Sequence, residues 1–232
     1  MYTNREIFDQ IAESWYGLRH WPRMRQELEE LARKWEKGRL LNVGCAHGPD
    51  FLLFRDNFEL WGIDFSVSML KQAIRYSGKF EFQVHLSAAD ARSLPFPDNT
   101  FDHAISVATY HHIEGNEQRE KAFAELKRVL KPGAEAFVTV WNRGQRRFLF
   151  RSRDQLVPWK TKEKTLYRYY HLFSYGEFKR LLKKAGFEIV ELGPEKSYRF
   201  PIRSFSRNIC ALVRKPEHRD VGREFTSRGG GI

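Results

Sequence analysis

The chain has 232 residues, 41% of them hydrophobic and 15% aromatic, which suits one domain with a real core and excludes a disordered chain. No apolar run reaches the ~18 residues a membrane span needs. The first residues lack a signal-peptide layout, and two cysteines make no disulfide framework, so a reducing cytoplasm is expected. The formal net charge of +11 favours an anionic partner.

Ile7, Phe8, Ile11, Trp15 and Leu18 recur near helical spacing and predict a helix over 4–19. Pro22 suits the first turn of a second helix, which runs to about Lys37 and is closed by Gly38. Strands and helices then alternate. A first strand over 39–45 breaks into glycines. A short helix over 48–55 and a second strand over 58–64 follow, and Ser66 caps a helix to about Tyr76. The alternation of Phe80, Phe82, Val84 and Leu86 predicts a third strand over 81–87. A fourth strand is expected over 101–108 and a helix over 117–130. Lys131-Pro132-Gly133 then turns into a fifth strand over 134–141. A lobe over 142–173 interrupts the alternation. A helix over 174–185 resumes it, and strand runs over 187–192 and 206–214 are expected to form an antiparallel hairpin at the sheet edge. The expected fold is α/β, doubly wound, with a mostly parallel seven-stranded sheet, an antiparallel edge strand and two N-terminal helices. Residues 1–214 form one domain with a basic insertion over 143–175, and 215–232 are expected to be a flexible tail.

Chemistry first shows at the end of the first strand, in Asn42-Val43-Gly44-Cys45-Ala46-His47-Gly48, followed by Asp64 at the end of the second. Glycines let backbone approach a ligand, and an acid at the next strand tip can accept hydrogen bonds from ribose hydroxyls, so an adenosine-type cofactor is expected. Dinucleotide oxidoreductases and methyltransferases share this opening. A second signal is charge: residues 143–184 hold 13 Lys and Arg against 3 Asp and Glu, interleaved with Phe148, Phe150, Trp159, Tyr167, Tyr169, Tyr170, Phe173 and Tyr175. That mixture suits a polyanion with bases to stack, although a solvated basic face is the plainer reading. The histidines and cysteines show no metal-ligand spacing, so no metal is expected.

Ala88-Ala89-Asp90-Ala91, then Leu94-Pro95-Phe96, then Phe101-Asp102, and Leu126-Lys127-Arg128-Val129-Leu130-Lys131-Pro132-Gly133 follow in order. Over about 38–141 this resembles the class I methyltransferases, whose cofactor is S-adenosylmethionine. The resemblance implies that Gly44, Ala46 and Gly48 wrap the amino-acid end of the cofactor, Asp64 the ribose and Asp90 the adenine edge. Asn42, Cys45, Phe65, Ser66, Ala91 and Val107 complete the expected set. Two positions depart from the family. Asn42 stands where an acid is usual, and can still orient the turn by hydrogen bonds. Ala46 stands where glycine is usual, and its methyl group calls for φ below zero.

Phe8-Asp9-Gln10-Ile11-Ala12 leading to Arg19-His20-Trp21-Pro22, Ser106-Val107-Ala108-Thr109-Tyr110-His111-His112, Val140-Trp141 and Arg168-Tyr169-Tyr170-His171-Leu172-Phe173 narrow the match. Together they resemble the wobble-uridine tRNA methyltransferases, which esterify 5-carboxymethyluridine in the anticodon and work with a small zinc-binding activator protein. The resemblance implies a tRNA anticodon stem-loop as substrate. Arg19, His111, Tyr169, Tyr170 and His171 are expected near the acceptor. Arg143, Arg146, Arg147, Arg151, Arg153, Lys160, Lys162, Lys164 and Arg168 are expected on the RNA. The N-terminal aromatics and the third-strand edge are candidate activator contacts. Each acceptor residue also has a structural reading, His112 more so than His111. The alternatives are a methyltransferase for a quinone or organic acid, and an RNA-binding scaffold without cofactor.

Overall fold

The computed structural model describes residues 2–161, 163–200 and 202–217. Helix α1 (Asn4–Leu18) starts at a reciprocal cap, in which the Thr3 side chain accepts from the Glu6 N–H while the Glu6 carboxylate accepts from the Thr3 N–H. Helix α2 (Arg25–Trp35) turns Leu28, Leu31 and Trp35 inward. Strands β1 (Gly38–Val43) and β2 (Phe58–Asp64), helix α3 (Val67–Lys79), strands β3 (His85–Ala88) and β4 (Phe101–Val107), helix α4 (Asn116–Val129) and strand β5 (Leu130–Trp141) follow. After a hairpin of β6 (Asp154–Lys160) and β7 (Thr165–His171) come helix α5 (Tyr175–Lys184) and strands β8 (Glu188–Pro194) and β9 (Asn208–Arg214).

Seven strands form one sheet in the order β3-β2-β1-β4-β5-β9-β8. The first five pair in parallel, and β9 runs antiparallel to both β5 and β8, as the hairpin expectation required. The two faces of β1 show why the central strands read as unbroken apolar runs. Leu41 and Val43 pack with Phe123, Leu126, Phe178 and Leu181 of α4 and α5. Leu40 packs with Leu28, Leu31 and Trp35 of α2 on the opposite side. The strand order reverses between β1 and β4, and this opens a crevice beyond their C-terminal ends.

Several boundaries differ from expectation. Phe80, Phe82 and Val84 are not in a strand. Phe80 ends α3 and packs 4.5 Å from the Tyr76 ring, while Phe82 and Val84 fill the α2 side of the core, so β3 is only His85–Ala88. Alternating apolar residues here reflect packing of a loop onto a helix. The helix expected over 48–55 is a tight 3-10 turn, Pro49–Leu53. Strand β5 already begins at Leu130, with an irregularity opposite Phe101 to His103, so Lys131-Pro132-Gly133 lies within it. The basic lobe holds the regular hairpin β6–β7. Of the expected tail, Lys215 is tied down by its N–H to the Ala134 carbonyl at 2.9 Å; residues 218–232 lie outside the described residues. No helix among the described residues is long and apolar enough to cross a membrane.

Glu135 joins three elements. Its buried carboxylate accepts from Lys34 Nζ at 2.7 Å, Trp35 Nε1 at 2.9 Å and Arg214 Nη2 at 2.8 Å. Burial pushes its carboxyl up, but these donors outweigh burial and hold it at about 2. The bonds therefore add stability above the ordinary carboxyl value of 4.5, and that stability is lost as pH falls towards 2. Glu135→Gln is expected to lower unfolding free energy by about 2 kcal/mol at pH 7. In urea titrations the difference from the parent shrinks between pH 4 and pH 2.

Candidate active site

The glycine turn is shaped by what lies against it. Gly44 has φ 73°, and a Cβ there would sit 2.2 Å from Thr109 Oγ1, so no side chain fits. The N–H groups of Gly44 and Cys45 both donate to the Ile63 carbonyl, at 2.8 and 2.9 Å. Ala46 adopts φ 48°, against the expected negative value. That left-handed conformation costs an alanine about 1 kcal/mol. It is held because the Ala46 N–H donates to Asp64 Oδ2 at 2.9 Å. Asp64 Oδ1 accepts from the Ser66 N–H at 2.9 Å. Burial pushes the Asp64 carboxyl up to about 6, with the Ser66 and Ala46 N–H groups pulling the other way, so it is ionised at neutral pH. Asn42 is fully buried, and neither amide atom has a partner among the described residues, so it does not orient the turn by hydrogen bonds as expected.

A cavity of about 990 Å³ opens beyond these strand ends. Of the residues expected at the cofactor, Gly44, Ala46, Asp64, Phe65, Asp90 and Ala91 line it. Asn42, Cys45, Gly48, Ser66 and Val107 do not line it. The Cys45 thiol packs beneath the sheet near Gly62, and burial raises it well above its ordinary value. Gly48, at φ 81°, bends the chain into the 3-10 turn. Ser66 caps α3 and donates to Asp9 Oδ1 at 2.7 Å. Val107 packs against the α2 side of the core, and its neighbours Ala108 and Thr109 reach the wall instead. Asp90 is held by Arg92, which donates to it from Nη2 at 2.6 Å and Nε at 2.9 Å.

Helix α1 and the β6–β7 hairpin roof this cavity. Asp9 Oδ1 also accepts from the Ser68 N–H at 3.0 Å, which clamps α1 to the start of α3. The Asn4 amide donates to the carbonyls of His112 and Tyr169 and accepts from the Tyr169 N–H at 2.9 Å. Trp159 Nε1 donates to Ser14 Oγ at 3.0 Å, and its ring lies 5.2 Å from Trp15. Asn4, Asp9 and Trp159 were not among the expected site residues, because their role depends on contacts up to 165 positions apart.

Beside the cavity lies a cluster of cations. Arg168 is buried, with its guanidinium 4.8 Å over Trp159 and 5.2 Å over Tyr170, and its Nε and Nη1 have no partner. Arg19 lies 3.6 Å over Trp15, and Arg147 lies 4.6 Å over Trp141. Among the described residues neither these three nor Arg23 forms an ion pair. Burial first, and Arg23 second, push Arg19 down to about 9, so it stays a cation at pH 7. Tyr170 joins the cluster. Its ring is 4.9 Å from His111 and 4.2 Å from Trp141. His111 is fully buried, and burial holds it neutral. Its Nδ1 accepts from the Trp141 N–H at 3.3 Å, so Nε2 carries the proton. The more exposed neighbour, His112, is the one on the cavity wall, with Nδ1 donating to the Tyr169 carbonyl at 3.0 Å.

The expected acceptor set therefore splits. Arg19, His111 and Tyr170 converge. Tyr169 and His171 instead face Asp154: Tyr169 Oη donates to it at 2.5 Å, and His171 Nδ1 lies 2.7 Å from it while Nε2 lies 2.8 Å from Glu177. Tyr169 touches the cavity, and His171 anchors the hairpin to α5. The expected RNA residues split as well. Arg143, Arg146, Arg151 and Lys160 are exposed. Arg153 pairs with Glu177 at 2.8 Å, Lys164 sits 5.3 Å over Tyr2 at the cavity mouth, and Arg168 is interior. Lys162 lies outside the described residues. Among the described residues no group of histidine, cysteine and acidic side chains could hold a metal.

The methyltransferase domain family matches residues 41–138. A relative from Encephalitozoon cuniculi, named "Putative methyltransferase", is 30% identical over 191 residues, covering 79% of this chain and 85% of its own length. The chain belongs to the S-adenosylmethionine-dependent methyltransferase family. It is also similar to the tRNA (carboxymethyluridine(34)-5-O)-methyltransferase of Schizosaccharomyces pombe, 27% identical over 219 residues, 82% of this chain and 91% of that one. Other curated relatives are much longer, and the chain spans only 32%, 29% and 28% of their lengths. The methyltransferase chain from a complex with the Haloferax volcanii Trm112 methyltransferase activator shares the fold, with a TM-score of 0.69 at 18% identity over 94% of this chain and 99% of that one.

The residues present fit S-adenosylmethionine. The cavity is large enough, the closed approach at Gly44 forms a backbone cradle, and the ionised Asp64 offers a hydrogen-bond acceptor at its wall. Gly44→Ala is expected to weaken cofactor binding at least tenfold in calorimetry, whereas Gly17→Ala, with open space around it, leaves binding unchanged.

Asp50 was also not among the expected site residues. It is buried in the 3-10 turn and has no hydrogen-bond partner among the described residues. Burial pushes its carboxyl up to about 7, while Arg19 and Arg23 act against that rise. Below pH 7 Asp50 is neutral and the arginines are left uncompensated. An anionic probe whose own charge is constant over this range, such as acetate, is therefore expected to bind three- to tenfold more tightly at pH 6 than at pH 8, read through quenching of Trp15, Trp141 and Trp159. Asp50→Asn is expected to bind the probe with much the same affinity at both values.

Proposed function

We propose that this methyltransferase esterifies the carboxylate of 5-carboxymethyluridine at the wobble position of a tRNA anticodon. The observation that carries the reading is the arginine cluster: buried Arg168 has two guanidinium nitrogens without partners, and Arg19 stands beside it, next to the cofactor cavity. Buried unpaired donors are costly, and a planar carboxylate satisfies them in a forked geometry. The name and near-complete overlap of the Schizosaccharomyces pombe relative support the same acceptor.

S-adenosylmethionine supplies an activated methyl group when bound. The acceptor carboxylate is already ionised at pH 7, so no residue has to remove a proton. That agrees with a site whose histidines, His111 and His112, are both held neutral by burial. The work of Arg168 and Arg19 is to orient the carboxylate, and that of Trp141, Tyr170 and His111 is to exclude water. The exposed arginines of 143–151 take phosphates, giving affinity that falls with salt. An activator protein of the kind bound by the Haloferax volcanii neighbour fits the exposed Trp21, whose ring lies 5.9 Å from Phe80 at the end of α3.

A small organic acid as acceptor is the second reading, favoured by the interior position of Arg168. Salt separates the two, since a small acid lacks the many phosphate contacts that make RNA binding steeply salt-dependent. Purified protein, with and without activator, is expected to transfer labelled methyl to tRNA carrying 5-carboxymethyluridine. Transfer to a small acid alone would sink the reading. Arg168→Ala is expected to lower kcat/KM for that tRNA at least 100-fold, a loss of about 3 kcal/mol or more, with cofactor affinity unchanged.

A further inference from the structure

Phe150 is fully exposed and has φ 67°, a conformation bulky residues avoid. The chain holds it there from both sides. The Phe148 N–H donates to the Gln145 carbonyl at 2.8 Å, the Arg151 N–H donates to the Phe148 carbonyl at 3.1 Å, and the Phe148 ring is buried. The turn thus inserts one aromatic ring and drives the next into solvent.

A second stretch, far away in sequence, lies against this one. Asn142 Nδ2 donates to the Ser204 carbonyl at 2.9 Å and to the Ser206 carbonyl at 3.0 Å. Gly144 comes so close to Ser204 that an added Cβ would lie 1.7 Å from its carbonyl oxygen. This stretch presents Phe200 and Ile202 to solvent, 53% and 49% exposed. The first segment carries Arg146, Arg147 and Arg151 and the second Arg199, Arg203 and Arg207; Arg207 lies near Arg147, and Arg203 lies 5.1 Å over the Tyr175 ring. Neither 143–153 nor 199–207 contains an acid. Among the described residues none of the six arginines forms an ion pair. Arg207 lies near enough to Arg147 and Arg23 to act on their charge, so this basic face runs into the arginine cluster of the active site.

We infer that residues 146–151 together with 199, 200 and 202–207 form one RNA-contact face for unpaired nucleotides flanking the methylated base, with Phe150 stacking on a base and the arginines on phosphates. The inference rests on the tRNA reading above and adds to it a surface that only the fold assembles. Isolated aromatic tips in an acid-free arginine field match single-stranded RNA, which has both charge and exposed ring faces. Duplex RNA offers no base to stack.

The test uses the full chain and a labelled anticodon stem-loop, followed by anisotropy across a salt series. Phe150→Ala is expected to weaken binding about tenfold with the salt slope unchanged, and Phe150→Trp to restore it. Arg199→Glu with Arg203→Glu is expected to flatten the slope, by about 0.7 for each lost phosphate contact. Calorimetry with S-adenosylmethionine checks that each variant is folded. If the parent binds the stem-loop and Phe150→Ala binds it equally well, the stacking inference is overturned, whatever the methyl-transfer assay gives. If the variants behave as expected but no methyl reaches 5-carboxymethyluridine, the reaction reading fails and the RNA face stands. If the parent does not bind the stem-loop, both fall; in that case retention of heparin would mark a surface for anions without bases.

Discussion

Docking of α1 and the β6–β7 hairpin over the strand ends is the contact on which the rest of the site depends. A parallel sheet supplies a crevice where its strand order reverses, but an open crevice is wet. Asp9 holds α1 to the N-terminus of α3 through Ser66 and Ser68, and Asn4 ties the same helix to the turn at His112 and to strand β7. Trp15 and Trp159 then close the seam. These bonds are few and polar, and they place the aromatic walls and the buried arginine at once. A roof fixed in this way lets Arg168 stand in low dielectric, where its interaction with an anion is stronger than in water.

That arrangement has an electrostatic cost. Burial disfavours the charged guanidinium groups, and groups gathered without ion-pair partners also repel one another, which is why Arg19 falls to about 9. Stacking on Trp15, Trp141 and Trp159 offsets part of it through cation–π attraction. Asp50 supplies a negative charge that can be switched off by one proton. In the proposed reaction the acceptor arrives as an anion and leaves as a neutral ester. The arginines hold the first and have no charge to hold in the second, so the same cluster that binds substrate favours release of product.

The glycine turn tolerates its departures from family pattern by different means. Ala46 accepts a left-handed backbone because its N–H is fastened to Asp64, so the turn keeps its path without glycine. Gly44 has no such freedom, since Thr109 occupies the space a side chain would need. Asn42 keeps its place buried, with no side-chain hydrogen bond to the turn among the described residues. The strain is thus concentrated at one residue and offset by one hydrogen bond.

How much was legible follows from the range of each interaction. The alternation of strands and helices, the glycine turn and Asp64 are local patterns, set by spacing and backbone preference, and they stand in the structure close to where the sequence puts them. The third strand was misplaced because Phe80, Phe82 and Val84 are apolar for the sake of Tyr76 and the α2 side of the core, and alternation cannot tell a loop packed on a helix from a strand. Which of His111 and His112 faces the cavity turned on a single 3-10 turn. By itself the sequence determined the fold class and the excess of positive charge, because composition and short periodicity suffice for these, and the order of its motifs pointed to the cofactor class. Only the tertiary structure decided that Arg168 turns inward while Arg146 and Arg151 stay outside, that Asp50 sits among the arginines, and that Ser204 and Ser206 lie against Asn142 and Gly144. Those facts depend on which distant segments pack together, and no local pattern carries that information.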